Sequence, residues 1–379
     1  MMITTLLHHP RKLWLRRALF QVHLWMGVLL SLYVIVIGLS GATLVFQDEI
    51  RQASMRRVPF DKNNVAPVST VIATAQTSFP GWRLTFISPP QPQNPRWTLY
   101  FEDDRKKDHT IFADAATGTP YQSKRKLFID YVLDLHVNLL MGETGFIVNC
   151  SAGIGLLVLA ITGAVLWWPG IRLWTRGLFV SLRRGWKRIN YDTHNAIGIW
   201  TLLIVSWWGI TAVYFLFPVR VAAVVNVISP LVGMKQPQTP EPPSPEFSTG
   251  TAVAKMEEII AHQQVVSPGY LTGIGLPEKP GGNITLYIDR RSPGDFSLRD
   301  IDTFDGHTGK PLTVWHYGEN KSLGDWFLWL TYPLHFGTLW GLPVKILWCL
   351  LGLSLPVLSI TGLLMYWNRY LRTRWRALL

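Results

Sequence analysis

Cysteine is almost absent from this chain: its 379 residues include two, Cys150 and Cys349. Both lie inside long apolar stretches and not in the polar segments between them. Two such residues cannot build the disulfide framework on which small extracellular domains depend, so a disulfide-stabilised fold is excluded. We interpret both as small apolar side chains at helix contacts.

Several motifs that mark catalytic sites are also missing. The sequence contains no G-x-G-x-x-G, no phosphate-binding loop, no nucleophile elbow and no H-E-x-x-H. Such motifs are typical of dinucleotide, nucleotide, serine-hydrolase and zinc-peptidase sites. The sequence therefore indicates neither a nucleotide site nor a hydrolytic centre.

Acidic residues are nearly lacking from three segments, 1–18, 169–193 and 368–379. Together these segments hold 14 basic residues and one acidic residue, whereas the whole chain has a net charge of +12. The basic excess is thus confined to the termini and one central loop, which argues against a nucleic-acid-binding surface. Basic residues flanking membrane spans collect on the cytoplasmic side, so we expect both termini and this loop to be cytoplasmic.

Four apolar segments are long enough to cross a hydrocarbon core of roughly 30 Å. They cover residues 18–46, 144–168, 195–217 and about 340–367. The first is too long for the apolar part of a cleaved secretory signal, and its pattern recurs in the third, so we expect no cleavage. The sequence predicts a mainly α-helical, multi-pass integral membrane protein.

The two halves of the chain resemble each other. Without a gap, residues 135–168 match 334–367 at 14 of 34 positions, and residues 23–46 share His, Gly and other identities with 194–217. We interpret this as a tandem duplication, each half being a span, an external domain and a span. The predicted organisation of the first half is a cytoplasmic N-terminus and first span (1–46), an external domain (47–123), and an interfacial helix and second span (124–168). A basic cytoplasmic loop (169–193) leads to the second half, which comprises a third span (194–217), a Pro-rich linker and second external domain (218–322), an interfacial segment and fourth span (323–367), and a cytoplasmic tail (368–379).

Each external segment predicts a small α+β domain. Residues 66–80 and 251–263 are typical of a short amphipathic helix, and three strand-like runs follow each of them. Both series end in D-x-x-T-G, at 114–118 and 305–309, which predicts a β-turn closed by glycine. Before spans two and four, residues 124–140 and 323–335 suit the outer membrane interface, with chain turns expected at 142–145 and at Pro333.

Four histidines recur at matched positions. His23 and His194 open the first and third apolar segments 171 positions apart, and His136 and His335 lie 199 positions apart. Gly27 and Gly198 follow four residues after the first pair, where a missing side chain leaves clearance on the same helix face. We predict that His23 and His194 bind one haem near the cytoplasmic side and that His136 and His335 bind a second near the periplasmic side.

Other interpretations stay open at this point. A histidine at a membrane interface is commonly a polar anchor, and imidazole also binds zinc, copper and nickel. His8, His9, His109, His262, His307 and His316 have no repeat partner, and we interpret them as surface residues, with His316 a candidate for an outer site. Met26 is a conceivable haem ligand, but Ile197 occupies its repeat position and cannot bind iron.

The ordered set of motifs resembles the PepSY-associated transmembrane proteins, also called iron-regulated membrane proteins. It comprises the L-H-x5-G units (135–142 and 334–341), the Ile-Thr-Gly units (161–163 and 360–362), the H-x3-G openings and the two D-x-x-T-G turns. Within that family the chain looks most like the FoxB-type ferric-siderophore reductases of bacterial inner membranes. The resemblance implies b-type haem, PepSY-like periplasmic domains and reduction of ferric iron held by a siderophore.

We therefore expect a transmembrane oxidoreductase with two b-type haems that carries electrons from a cytoplasmic or membrane donor to a ferric siderophore. The cofactor supplies the redox chemistry, so no general acid or base is expected beyond the haem ligands. One alternative is a non-enzymatic membrane protein whose PepSY-like domains bind or restrain a periplasmic peptidase or envelope partner. A second is a siderophore or metal permease, although its expected ionisable path is lacking from the spans.

Overall fold

The structure is a computed structural model that describes residues 14–54, 61–121, 126–171, 173–240, 255–279 and 281–372. The chain divides into two compact units. The first consists of Met1–Gln47, Leu127–Val224 and Leu330–Leu379, and the second of Asp48–Lys126 and Val225–Trp329. His8, His9 and the outermost basic residues of both termini lie outside the described residues.

Four long helices form the body of the first unit. They are α1 (Trp14–Leu44), α5 (Gly142–Trp167), α6 (Trp186–Leu216) and α10 (Leu342–Tyr366), and an irregular helical turn, Trp367–Leu371, extends the last. Each is long and apolar enough to cross a membrane, which confirms the prediction of a multi-pass membrane protein with four candidate spans.

Glycines let these helices approach closely. Helix α1 contacts α5 and α10, and α6 contacts the same two, so the four helices form a ring. A Cβ atom on Gly38 of α1 would lie 2.6 Å from Pro356 Cδ of α10, and one on Gly209 of α6 would lie 2.7 Å from Leu157 Cβ of α5. In lipid, where apolar surface alone drives little association, such small-residue contacts pack helices together.

Two of these helices begin earlier than the apolar segments predict. Helix α1 begins at Trp14 and α6 at Trp186, so His23 and His194 lie more than two turns inside their helices and not at the helix start. Residues 186–193, predicted as part of a basic loop, are helical. The reason is that the polar sequence WKRINYD contains no Gly or Pro to end a helix, so the turn ends at Gly185 instead.

Two short helices precede the second and fourth spans, as expected for these segments. They are α4 (Phe128–Asn138) and α9 (Leu323–Phe336). The predicted chain break at Pro333 is wrong, because that residue lies within α9. The chain turns after it, where Gly337 and Gly341 both adopt positive φ, a conformation that glycine reaches without steric cost.

The second unit contains one antiparallel sheet of eight strands. In the first half the strands are β1 (Arg83–Ser88), β2 (Trp97–Glu102), β3 (Asp108–Ala113) and β4 (Pro120–Tyr121). In the second half they are β5 (Tyr270–Gly275), β6 (Ile284–Asp289), β7 (Arg299–Phe304) and β8 (Pro311–Tyr317). The strand order is β4-β3-β2-β1-β5-β6-β7-β8, so the two predicted domains share a sheet.

The shared sheet arises where two strand edges meet. Strand β1 pairs with β5 through Phe86 opposite Gly275 and Ile87 opposite Ile274. An unpaired edge strand exposes free N–H and C=O groups, and this pairing removes one such edge from each half. Strands β4 and β8 were not predicted, although each follows a D-x-x-T-G turn.

Helices α3 (Val68–Ser78) and α8 (Met256–Val266) contribute to the core of the second unit. Val71, Ile72 and Met256 are buried together with the inward side chains of the sheet, among them Leu99, Ile274 and Leu286. In both predicted turns the first Asp side chain accepts backbone N–H bonds, and Gly118 and Gly309 both have φ of +69°. The remaining helices are α2 (Gln47–Ser54) and α7 (Pro218–Ile228).

Candidate functional site

The first unit brings the four repeated histidines together in the two expected pairs. The ring centroids of His23 and His194 are 6.3 Å apart, with the ring planes at 89°. The centroids of His136 and His335 are also 6.3 Å apart, with the planes at 65°. Each pair takes one histidine from each half of the chain.

The Nδ1 atom of each of these imidazoles lies within hydrogen-bonding distance of a side-chain hydroxyl group on another helix. In the first pair, His23 Nδ1 lies 2.9 Å from Thr162 Oγ1 and His194 Nδ1 lies 2.9 Å from Thr361 Oγ1. In the second pair, the partners are Ser40 Oγ at 3.0 Å for His136 and Thr211 Oγ1 at 2.7 Å for His335. The four hydroxyl residues come from α5, α10, α1 and α6, respectively.

The hydroxyl hydrogens are already committed to backbone carbonyls. Thr162 donates to Val158 O and Thr361 to Val357 O, both at 2.7 Å. Ser40 donates to Val36 O at 2.7 Å and Thr211 to Trp208 O at 2.9 Å. Since each hydroxyl has one hydrogen, its oxygen must accept from the imidazole, which puts the ring proton on Nδ1. The Nε2 lone pair of each histidine is then free for a ligand.

The pair geometry fits two imidazoles bound to one metal ion from opposite sides. A metal–nitrogen bond of about 2.0–2.1 Å, plus about 1.1 Å from ring nitrogen to ring centre, puts two such centroids roughly 6.3 Å apart. Both observed pairs have this spacing. Paired neutral imidazoles from facing helices are residues that would hold a haem iron. The donor set therefore fits haem iron.

A cavity of about 920 Å³ adjoins the first pair. This is at the upper end of the range for cofactor sites, roughly 300–1,000 Å³. His23, His194, Gly27 and Gly198 line it together with apolar side chains of all four long helices, Val34, Leu156, Leu159, Val205, Leu355 and Leu358. The cavity is thus apolar around the two imidazoles.

Glycines leave room beside the first pair. A Cβ atom on Gly27 would meet Leu159 Cδ2 only at 3.9 Å, and one on Gly198 would meet Leu358 Cδ2 at 3.7 Å, so both positions border open space as the i, i+4 spacing predicted. Gly163 and Gly362 stand closer to the rings, because a Cβ there would lie 3.2 Å from His23 Cε1 and 3.5 Å from His194 Cε1. Each Ile-Thr-Gly unit thus supplies both the hydroxyl that binds Nδ1 and the space for the ring.

The second pair is built in the same way, from a hydroxyl residue followed by a small one. Ser40 precedes Gly41, where a Cβ atom would lie 2.9 Å from His136 Cε1. Thr211 precedes Ala212. Burial lowers the pKa of His136 to about 4; for His335, burial and the neighbouring His136 lower it to about 3. Both rings are therefore neutral at pH 7, as a metal ligand must be.

Backbone contacts hold the helices that carry the second pair. The Asn149 amide of α5 donates to His136 O at 2.7 Å, and its oxygen accepts the Tyr33 hydroxyl at 2.8 Å. The Trp208 indole donates to His335 O at 3.3 Å. Trp208 also packs against the small apolar core between the four helices.

Neither His316 nor the cysteines join these sites. His316 lies in the second unit, where its Nδ1 is 2.7 Å from Asp300 Oδ1 and about half of its side chain is exposed. Cys150 and Cys349 are both free thiols in the interiors of α5 and α10, and Cys150 is buried.

None of the four hydroxyl residues was assigned a role from the sequence alone. Thr162 and Thr361 belong to the repeated Ile-Thr-Gly units, but no role was assigned to them. Ser40 and Thr211 were overlooked because only identical residues were compared between the halves. They lie 171 positions apart, the same offset as His23 and His194, so a search for equivalent hydroxyl residues at that offset finds them.

Comparisons with known proteins agree with this architecture. Residues 20–369 match the model of the PepSY-associated TM region. The chain is also similar to uncharacterized protein PA4219 of Pseudomonas aeruginosa, with 25% identity over 262 residues, 64% of each chain. The chain thus spans just under two thirds of the length of this curated relative. Because the family model covers both histidine pairs and most or all of each candidate span, the chain belongs to the PepSY-associated transmembrane family.

Proposed function

We propose that this protein binds two b-type haems between its four long helices and transfers electrons across the bacterial inner membrane. The observation that carries the proposal is the fourfold contact between a histidine Nδ1 and a hydroxyl oxygen. A histidine that serves only as a polar anchor does not need its second nitrogen kept free, whereas a metal ligand does.

The bound haem would supply one-electron redox chemistry, and the chain's own residues determine where and how tightly it binds. His23 and His194 hold one site, and His136 and His335 hold the other. The hydroxyls of Ser40, Thr162, Thr211 and Thr361 orient the rings and make them stronger donors by accepting their Nδ1 protons. The apolar side chains that line the cavity would surround most of the macrocycle at the first site.

We further propose that the electron acceptor is ferric iron bound by a siderophore at the periplasmic side. This assignment rests on the resemblance to ferric-siderophore reductases and on the charge asymmetry that predicts cytoplasmic termini. Each Fe(III) would take one electron and leave as Fe(II). The lower charge weakens the hold of oxygen ligands, and Fe(II) stands low in the affinity order of divalent metals. The electron would come from a cytoplasmic or membrane donor.

An absorption spectrum of the detergent-purified full chain tests the proposal. We expect sharp low-spin bands after reduction with dithionite and two b-type haems per chain by pyridine haemochrome quantification. Reduction of a ferric tris-hydroxamate chelate by the dithionite-reduced protein is the next assay. A colourless protein from haem-replete cells would overturn the haem assignment and favour binding of a periplasmic partner by the second unit.

A further inference from the structure

Positive charge collects at one end of the cavity beside His23 and His194. Arg16, Arg17 and Arg369 line this end, and none of the described residues that line the cavity is acidic. The one acidic residue of segments 144–217 and 330–379 is Asp192, whose carboxylate pairs with Arg188. The cavity therefore combines an apolar interior, two imidazoles and an unbalanced cationic end.

The three arginines differ in their contacts. Arg16 donates to the backbone oxygens of Val165, Leu166 and Trp168, the last carbonyls of α5, so its guanidinium caps that helix. Within the described part of the chain, no carboxylate pairs with Arg17 or Arg369. The Arg369 guanidinium lies 4.9 Å from the ring centre of Phe20, another residue that lines the cavity. This contact holds Arg369 of the irregular turn against α1.

Arg17 and Arg369 lie on the same side of the imidazole pair. Arg17 precedes His23 by six residues, about 9 Å of helical rise. Arg369 follows Gly362, the glycine beside His194, by seven residues, which is roughly 10 Å if the rise stays helical. A planar molecule centred between the two imidazoles would meet both guanidinium groups along one edge.

We infer that Arg17 and Arg369 bind the two carboxylates of the macrocycle held by His23 and His194, and so set its orientation in the cavity. The inference rests on the proposed function, since it requires a haem at this pair. Guanidinium groups bind carboxylates through paired hydrogen bonds, and the apolar cavity walls suit the rest of a porphyrin. In the repeat, Arg188 corresponds to Arg17 and pairs with Asp192, and Gly170 corresponds to Arg369. The two arginines without a carboxylate partner are therefore not duplicated in the other half.

Haem release from the first site tests the inference. The background is the full chain carrying His136→Ala and His335→Ala, which retains only the His23/His194 pair. Haem-depleted protein is loaded either with iron protoporphyrin IX or with its dimethyl ester, and transfer to excess apomyoglobin is followed by absorbance. We expect Arg17→Gln and Arg369→Gln each to release the free-acid haem roughly tenfold to a hundredfold faster. From the protein that keeps both Arg17 and Arg369, we expect the dimethyl ester to be released at a similarly raised rate.

Matched variants separate this role from general surface charge. Arg183→Gln removes the same charge from the basic segment 169–193, outside the residues that line the cavity, and we expect no change in release. Arg17→Lys keeps the charge but loses the paired hydrogen bonds, so an intermediate rate is expected. An unchanged low-spin spectrum shows that each variant is folded and still binds iron through both histidines.

Two outcomes would overturn the inference while leaving the proposed function intact. One is equal release of the acid and ester forms together with wild-type rates in both arginine variants. The other is a release rate that depends on anionic phosphatidylglycerol in nanodiscs but not on esterification, which would assign the arginines to lipid headgroups. Failure of the proposed function looks different, because the chain would then bind no haem in any form.

Discussion

At the scale of single residues, the hydroxyl group beside each histidine Nδ1 favours a ligand role over the role of a polar anchor. Imidazole has two nitrogens, and the partner of one determines what the other can do. In this protein all four Nδ1 atoms face an oxygen whose own hydrogen is committed to the preceding helical turn. Repeated four times, this arrangement supports the proposal that the four histidines bind a cofactor.

Substituting one histidine of a pair is expected to remove one haem. His136→Ala leaves His335 without its axial partner, so the haem content falls from two per chain to one while the first site keeps its low-spin spectrum. His194→Ala has the reciprocal effect. Haem quantification on purified variants measures both.

The matched control is His262→Ala, an exposed histidine of the second unit. It is expected to keep both haems. If His136→Ala and His194→Ala also keep two haems each, the assignment of ligands is wrong.

The hydroxyl residues predict a change in redox potential. Thr361→Val keeps the shape of the side chain but removes the acceptor for the Nδ1 proton of His194. The ring becomes a weaker donor and stabilises ferric iron less, so the midpoint potential of the first haem rises by a few tens of mV, the equivalent of a net hydrogen bond of about 1 kcal/mol. Spectroelectrochemical titration measures the shift.

Thr361→Ser restores the hydroxyl and is expected to restore the potential. The potential of the second haem serves as an internal reference, because its hydroxyl partners are Ser40 and Thr211. A shift of both haems by the same amount would indicate a general change in packing instead.

A comparison of identical residues between the two halves singled out the four histidines but not their hydroxyl partners. The histidines were found because an identical, polar residue in a repeated apolar segment is easy to recognise. The hydroxyl partners were harder, because serine replaces threonine in one copy and because Ser and Thr are common in spans for structural reasons. That each hydroxyl faces an imidazole of another helix follows from tertiary packing, which no local pattern contains.

At the scale of helices and strands, close helix crossings keep the histidine pairs in register. Gly38→Val in α1 puts methyl groups where Pro356 and Gly352 O of α10 already lie within 3 Å of a Cβ atom. The two helices must separate, at a cost of about 1–3 kcal/mol. We expect a lower thermal midpoint and reduced haem at the second site, because Ser40 is two residues away.

Leu32→Ala is the control for this substitution. Leu32 lies in the same helix but its side chain is 73% exposed, as expected for a lipid-facing residue. It is expected to keep both haems and the thermal midpoint. Equal effects of the two variants would mean that the crossing at Gly38 has no special role.

A buried carboxylate fixes the start of helix α9. Asp325 accepts backbone N–H groups from Val232, Gly233, Met234, Lys321 and Ser322 at 2.9–3.0 Å. Burial alone would raise the pKa of Asp325, but these N–H donors lower it well below its ordinary value. Asp325→Asn replaces one charged acceptor oxygen by an amide donor and should destabilise this region by about 3 kcal/mol.

The lowered pKa of Asp325 determines whether the stability of this region rises or falls with pH. The stabilisation is fully present above the unfolded-state value of about 3.9 and is lost as the pH falls through the lower folded-state value. The protection of residues 229–236 against hydrogen exchange, taken relative to the intrinsic exchange rate at each pH, is therefore expected to fall on acidification in the wild type. In Asp325→Asn this protection is low at neutral pH too, whereas Asp108→Asn, at an exposed position, leaves it unchanged.

The elements themselves were largely predictable, and the exceptions have physical causes. Hydrophobic length identified the four spans, and alternation identified six of the eight strands. The early start of α6 was missed because its first two turns are polar. Pro333 lies within α9 although proline usually interrupts a helix, and β8 was missed because its alternation is weak. The joining of two sheets at β1 and β5 depends on long-range edge pairing.

At the scale of the whole molecule, the two histidine pairs lie near opposite ends of the four long helices. His23 and Ser40 are 17 residues apart in α1, and His194 and Thr211 are 17 residues apart in α6. At about 1.5 Å per residue this separates the two sites by roughly 25 Å along the helices, most of a hydrocarbon core of roughly 30 Å. Two porphyrins, one at each level, would extend into this distance and shorten the gap that an electron has to cross.

Electron transfer across the membrane should therefore need both pairs. In proteoliposomes with dithionite inside and a ferric tris-hydroxamate chelate outside, we expect the wild type to form external Fe(II), measured with ferrozine. In His136→Ala, chains whose termini face the dithionite should still reduce the haem at His23 and His194, but Fe(II) formation should fall at least tenfold because the second step is missing. His262→Ala should retain the full rate. Uptake of the intact ferric chelate by the wild type, with no Fe(II) formed, would favour a permease and contradict the relay.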